Sequence, residues 1–158
     1  MFVTSYKPTL KKNRLFVMEP VREYLCADGE DRIRSSKDAG RFFTSCLHME
    51  EEAEEHLVTL CLNAAGQVTG ILESCGGAFD AVQFAPRDIL RKALMLNAVS
   101  IIVAHNHPGG TTVPSREDLD ATETMKKACQ VLGVNFLDHI IVSGISGNYT
   151  SLREEGCM

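Results

Sequence analysis

Apolar residues recur along this chain with two different periods. Beyond Ser36, which stands as an N-cap, Ala39, Phe42, Phe43, Cys46 and Leu47 are spaced by three and four. That is the stripe of an amphipathic helix packing on a core. HLVTLCLN, from His56 to Asn63, is rich in strand formers, and the turn Asn63–Gly66 separates it from a second run, QVTGILES. Together they predict a hairpin. Gly76-Gly77 breaks the pattern, and AFDAVQF, 78–84, alternates as a third strand would. Pro86 suits the first position of a helix that carries Ile89, Leu90, Ala93 and Leu94 and runs on to Asn97-Ala98. VSIIVA, 99–104, is a near-continuous apolar run, as in a strand buried on both faces. Pro114 and Ser115 open another helix, with Ala121, Met125, Ala128, Cys129 and Leu132 inward and Gly133 as its C′ glycine. VNFLDHIIVSG is a further strand, and YTSL a last one. The mixed order predicts an α/β fold with helices on both sides of a sheet. Residues 1–34 carry a weaker pattern: RLFVME, Arg14 to Glu19, reads as a short strand and Asp28-Gly29 as a turn. They are read as an N-terminal extension before a domain spanning 35–158.

Composition narrows the class. The chain has 158 residues, 44% of them hydrophobic and 23% charged, the size and balance of one globular domain. No apolar run approaches the ~20 residues that span a bilayer, and MFVTSYKPTLKKNRLF lacks an apolar signal core. A cytoplasmic location and no membrane partner are the expectation. The formal net charge is -5, and the basic residues Lys7, Lys11, Lys12 and Arg14 lack interleaved aromatics. They are read as a solvated tail, and nucleic acid is not an expected partner. Six cysteines show no C-x-x-C spacing. Several lie within apolar patterns (Cys46, Cys61, Cys129), so reduced, buried thiols acting as small hydrophobes are expected.

The chemistry concentrates between Ile101 and Asp118, in IIVAHNHPGGTTVPSRED. His105 and His107 stand two apart at the end of the apolar run, so in extended backbone both imidazoles face one side. Pro108, Gly109 and Gly110 then turn the chain, and Asp118 arrives in the first turn of the next helix. Two imidazoles and a carboxylate leave a tetrahedral zinc one open position, the pattern of catalytic rather than structural sites. Ser115 and Asp118 also have a plainer reading, since S-x-x-D at a helix start is close to a capping box. Neither H-E-x-x-H nor the H-x-E with P-C-x-x-C of zinc deaminases is present. Asp138-His139 is read as supporting the site or the core, with Asp138 a candidate for orienting a ligand histidine.

His105-x-His107-x7-Ser115-x2-Asp118 resembles the JAMM motif of JAB/MPN-domain metalloproteins. HNHPGGTTVPSREDLDAT, with PRDILRKALMLNA before it and LGVNFLDHIIVSG after it, is similar to the bacterial RadC-like branch. The likeness runs from about Ser35 to Gly156. It implies a JAB/MPN, cytidine-deaminase-like α/β fold, a mixed sheet flanked by helices on both sides. It also implies zinc bound by His105, His107 and Asp118. The family's upstream glutamate, a general base, falls best on Glu55, with Glu54 its nearest competitor. Ser115 could donate to the oxyanion formed when a carbonyl is attacked. The implied activity is that of a zinc metallopeptidase or isopeptidase acting on a peptide or protein substrate. Full-length RadC proteins carry a helix-hairpin-helix-like region that residues 1–34 do not resemble, so a short form is expected. Two other readings accompany this one: a non-catalytic zinc-bearing interaction module, and a DNA-repair-associated protein. The complete ligand set argues against the first and the acidic charge against the second.

Overall fold

The computed structural model describes residues 1–27, 29, 31–73 and 85–158. The expected third strand, AFDAVQF, and residue 28 of the expected turn lie outside them. Seven strands form one sheet in the order β2-β1-β4-β3-β5-β6-β7. They are β1 (Phe2–Leu10), β2 (Phe16–Leu25), β3 (Leu57–Leu62), β4 (Val68–Glu73), β5 (Ser100–His107), β6 (Asn135–Ser143) and β7 (Tyr149–Ser151). The helices are α1 (Ser36–Arg41), α2 (Pro86–Met95) and α3 (Arg116–Leu132). The expected hairpin is present as β3 and β4, which pair antiparallel. β5 lies between β3 and β6, antiparallel to the first and parallel to the second.

The sheet is mixed and covered on both faces, as the apolar pattern predicts. On one face α1 and the π-helical turn that continues it, Phe42–Cys46, bury Ala39, Phe42 and Phe43 against Leu60, Ile102, Ala104 and Ile140. On the other, α2 and α3 bury Leu90, Ala93, Met125 and Cys129 against Leu57, Ile101 and Val103. Strand alternation sends odd-numbered residues of β5 toward α2 and α3 and even-numbered ones toward α1. β5 is buried from Ser100 through Asn106, as its apolar run requires.

Several boundaries differ from the sequence reading. Ser35, not Ser36, caps α1: its hydroxyl accepts from the Asp38 N–H at 3.1 Å. The α2 helix stops at Met95, because Asn97 takes a left-handed conformation at φ 54°. Gly133 ends α3 as expected, at φ 69°.

Residues 1–34 are more ordered than their pattern suggests. β1 and β2 form a long antiparallel hairpin, and Ser5 and Tyr6 of β1 pair in parallel with Ile71 and Leu72 of β4. The basic residues 7, 11, 12 and 14 are exposed, but on this hairpin rather than on a tail. Pro20 is accommodated because β2 is an edge strand and the register shifts beside it. The expectation of wholly reduced thiols is also corrected. Cys26, just beyond β2, is joined by a disulfide to Cys46 of the π-helical turn. The packing of the hairpin's end against that turn brings the two together. Cys61 and Cys129 are buried free thiols, as expected, and Cys157 is an exposed one.

Candidate metal centre

His105 and His107 end β5 on the face that packs against α3. The stiff, buried strand holds the rings close, with Nε2 atoms 2.9 Å apart. Asp118, in the first turn of α3, brings Oδ1 to 3.2 Å from His105 Nε2 and Oδ2 to 3.7 Å from His107 Nε2. The side chains of His105 and Asp118 are 0% and 2% exposed, that of His107 15%. The cluster is thus closed on the α3 side and open past His107.

The hydrogen bonds around the rings decide what they offer. His107 Nδ1 lies 3.0 Å from the Thr111 carbonyl oxygen. A carbonyl only accepts, so Nδ1 carries the hydrogen and a neutral His107 turns the lone pair of Nε2 toward His105 and Asp118. Asp118 Oδ1 is buried and accepts no hydrogen bond among the described residues. Burial pushes the Asp118 carboxyl up, but the His105 imidazole beside it and the hydroxyl and N–H of Ser115 hold it well below the usual carboxylate range. Ring nitrogens and a carboxylate this close together in a dry site call for positive charge between them, which a proton on an imidazole or a metal ion would supply. The donor set, two imidazole nitrogens and one oxygen, fits a borderline divalent metal.

Glu55 reaches the site from the segment between the 3-10 turn Met49–Glu51 and β3. Its Oε1 lies 3.8 Å from His107 Nε2, and its side chain is 26% exposed. Glu55, His105 and His107 also form a cluster of potential ligand atoms within 4.8 Å of one another. Two triads therefore share the histidines, one completed by Asp118 and one by Glu55. The buried Asp118 Oδ1 accepts no hydrogen bond among the described residues, whereas Glu55 stands on the more open side, beside His107. Glu54, the competing position, is exposed.

Ser115 is the N-cap of α3. Its hydroxyl donates to Asp118 Oδ2 at 2.7 Å and accepts from the Asp118 N–H at 3.1 Å. The Asp118 carboxylate also accepts from the Ser115 N–H at 2.7 Å, completing a capping box. The capping bond thus fixes the carboxylate that faces the histidines.

Asn106 and Thr122 carry contacts the sequence reading did not assign, and His139, read as supporting the site or the core, meets His105. Asn106, fully buried between the histidines, points to the opposite face. Its side-chain amide donates to the carbonyls of Glu52 and Glu54 at 3.2 and 3.1 Å and accepts from the His56 N–H at 2.7 Å. It therefore grips the backbone on either side of Glu55. His139 Nε2 lies 2.8 Å from His105 Nδ1, and Thr122 Oγ1 lies 2.6 Å from His139 Nδ1. Burial, then the neighbouring His105, pushes the His139 ring well below the ordinary value of 6.5. Asp138 does not touch a ligand histidine, since adjacent strand residues face opposite ways. It accepts from the hydroxyl of Ser151 at 2.6 Å and the N–H of Arg153 at 3.2 Å. The contact with His105 belongs to His139. The available signal was a polar residue inside an apolar pattern: Asn106 between strand residues, and Thr122 within the inward stripe of α3.

Comparison with known proteins identifies the family. The RadC-like JAB domain family matches residues 33–157. A UPF0758 protein of Aquifex aeolicus is 41% identical over 126 residues, 80% of this chain and 52% of that protein. One from Methanosarcina barkeri is 40% identical over 141 residues, 89% of this chain and 56% of that protein. One from Streptococcus gordonii is 41% identical over 128 residues, 81% of this chain and 54% of that protein. The chain spans about half the length of these relatives. With the family's match covering most of its length and a mixed sheet flanked by helices consistent with a JAB/MPN domain, the chain belongs to the RadC-like JAB domain family.

Proposed function

We propose that this protein is a zinc-dependent hydrolase of peptide or isopeptide bonds, with zinc held by His105, His107 and Asp118 and with Glu55 as the general base. The observation that carries the reading is the position of Glu55. A carboxylate contributed from far along the chain stands 3.8 Å from His107 Nε2 on the open side of the cluster, while the buried carboxylate of Asp118 closes the other side. A purely structural site needs no second carboxylate at its mouth.

Bound zinc supplies Lewis acidity that makes water a nucleophile near neutral pH. Glu55 Oε1 takes the proton from the attacking water and later passes it to the leaving amine. Asn106 holds the backbone around Glu55, so the carboxylate keeps its place while that proton moves. Ser115 holds Asp118 through the capping bond. To donate to a tetrahedral oxyanion it first has to release Asp118 Oδ2.

The test is turnover of a peptide library by zinc-loaded protein, wild type beside Glu55→Gln. Glu55→Gln is expected to keep its zinc and lose at least 100-fold in turnover, on the order of what general-base catalysis contributes. Retained zinc with no turnover in the wild type would instead favour a non-catalytic interaction module. Loss of zinc in Glu55→Gln would make Glu55 a ligand and contradict its role as base.

A further inference from the structure

His105 is held from both ends. Nε2 faces the metal cluster, and Nδ1 faces away from it, 2.8 Å from His139 Nε2. The contacts continue beyond His139. Its Nδ1 lies 2.6 Å from Thr122 Oγ1, and Thr122 Oγ1 lies 2.6 Å from the main-chain carbonyl oxygen of Asp118. His105, His139, Thr122 and Asp118 are all buried.

The direction of each bond follows from the end of the chain. The Asp118 carbonyl has only lone pairs, so the single hydroxyl hydrogen of Thr122 must point at it. Without that hydrogen two oxygens would stand 2.6 Å apart with nothing between them. Thr122 Oγ1 then has only lone pairs left for His139, so His139 Nδ1 carries a hydrogen and donates. A neutral His139 has its remaining lone pair on Nε2, and that lone pair accepts from His105 Nδ1–H. His105 is left with a lone pair on Nε2, aimed into the cluster.

We propose that His139 and Thr122 are positioning residues that fix His105 in its Nδ1–H tautomer and thereby hold its Nε2 lone pair ready for a divalent cation. The inference rests on the metal reading given above. Histidine ligands in metal sites are commonly oriented by a carboxylate, a main-chain carbonyl or water. Here the acceptor is a second histidine, and Thr122 passes the polarity on to a carbonyl. That carbonyl belongs to Asp118, whose side chain is itself in the cluster. The first turn of α3 thus supplies one ligand and anchors the orientation of another. This also explains the Thr122 hydroxyl in an otherwise apolar stripe: a valine of the same shape would fill the space but leave His139 Nδ1–H without its acceptor.

Two measurements test this, and the first needs no variant. Nitrogen-15 NMR of histidine-labelled wild-type protein reads the tautomer of each ring. His139 is expected as the neutral Nδ1–H form in metal-free and zinc-loaded protein. In the loaded protein a scalar coupling is expected across the His105 Nδ1–H···Nε2 His139 bond. His139 in the Nε2–H form overturns the proposal. The second is zinc affinity, by chelator competition, for Thr122→Val and Thr122→Ser, with circular dichroism confirming the fold. Thr122→Val is expected to weaken zinc about 10- to 100-fold, the usual cost of removing such support, and Thr122→Ser to restore binding. A loss of less than about tenfold in a folded Thr122→Val overturns the proposal. If wild-type protein takes up no zinc, the metal reading fails, and the metal-free His139 tautomer still decides the relay.

Discussion

The Asp118 carboxyl serves two structures at once, and substitutions there separate them. Asp118→Ala removes the proposed ligand and the capping box together. It is expected to abolish stoichiometric zinc binding, by chelator competition, and to cost about 1 kcal/mol of helix-start stability. Ser115→Ala removes the hydroxyl of the cap alone and is expected to show the stability loss with zinc retained. Equal loss of zinc in both variants would mean that the cap, not the carboxylate, holds the site together. The cysteines separate by burial in the same way. Burial pushes the Cys61 thiol up to about 12 and that of Cys129 up to about 11, while Cys157 is exposed. Thiolate is the reactive form. Alkylation of the folded protein at neutral pH, mapped by mass spectrometry, is therefore expected to modify Cys157 and spare Cys61 and Cys129. Labelling of either buried thiol at the rate of Cys157 would contradict their packing.

At the scale of elements, Asn106 is the joint between β5 and the segment carrying Glu55. Asn106→Ala leaves the His56 N–H and the Glu52 and Glu54 carbonyls without their side-chain partner. At about 1–3 kcal/mol per buried unsatisfied group, a loss of about 3 kcal/mol is expected. Hydrogen exchange should quicken in 52–56 while zinc stays bound, and unchanged exchange there would refute the joint. Elements whose pattern matches one face of a core were legible in the sequence. β3, β4, β5 and β6 each bury a run of apolar residues, α2 buries Ile89, Leu90 and Ala93, and α3 buries Met125 and Cys129, while Leu132, expected inward, is exposed. The histidines were legible for the same reason: they extend the alternation of a buried strand. Asn106 and Thr122 were not, because their partners lie on other elements and no local period marks them, and of the pair read as supporting the site, His139 and not Asp138 meets His105. The N-terminal hairpin was obscure because only Val3, Ser5 and Tyr24 of its strands are buried. Exposed strands keep little of the apolar alternation from which strands are read.

Among the contacts that tie the hairpin to the rest of the molecule are the β1–β4 pairing, the Cys26–Cys46 disulfide and a hydrogen bond from the Tyr24 hydroxyl to Glu73 at 2.9 Å. The disulfide closes a loop with a sequence separation of 20 residues, so its loss in Cys46→Ala is expected to cost about 3 kcal/mol in thermal or urea unfolding. An unchanged midpoint would show that the bridge contributes nothing in solution. Burial, then the Glu73 carboxylate, pushes the Tyr24 hydroxyl from 10.0 up to about 12. The folded state therefore keeps Tyr24 neutral where the unfolded chain ionises it. The associated stability is intact below pH 10 and is lost as pH rises toward about 12. Tyr24→Phe should flatten that part of the alkaline unfolding curve, and an identical curve would exclude Tyr24 as its cause. Among the described residues no helix is long and apolar enough to cross a membrane. The metal proposed at His105, His107 and Asp118 is what the function rests on. Elemental analysis of protein purified without added metal, wild type beside His107→Ala, tests it most directly. About one zinc per chain in the wild type, lost in His107→Ala, is the predicted result. A wild-type protein that holds no metal even after zinc is supplied would contradict the account.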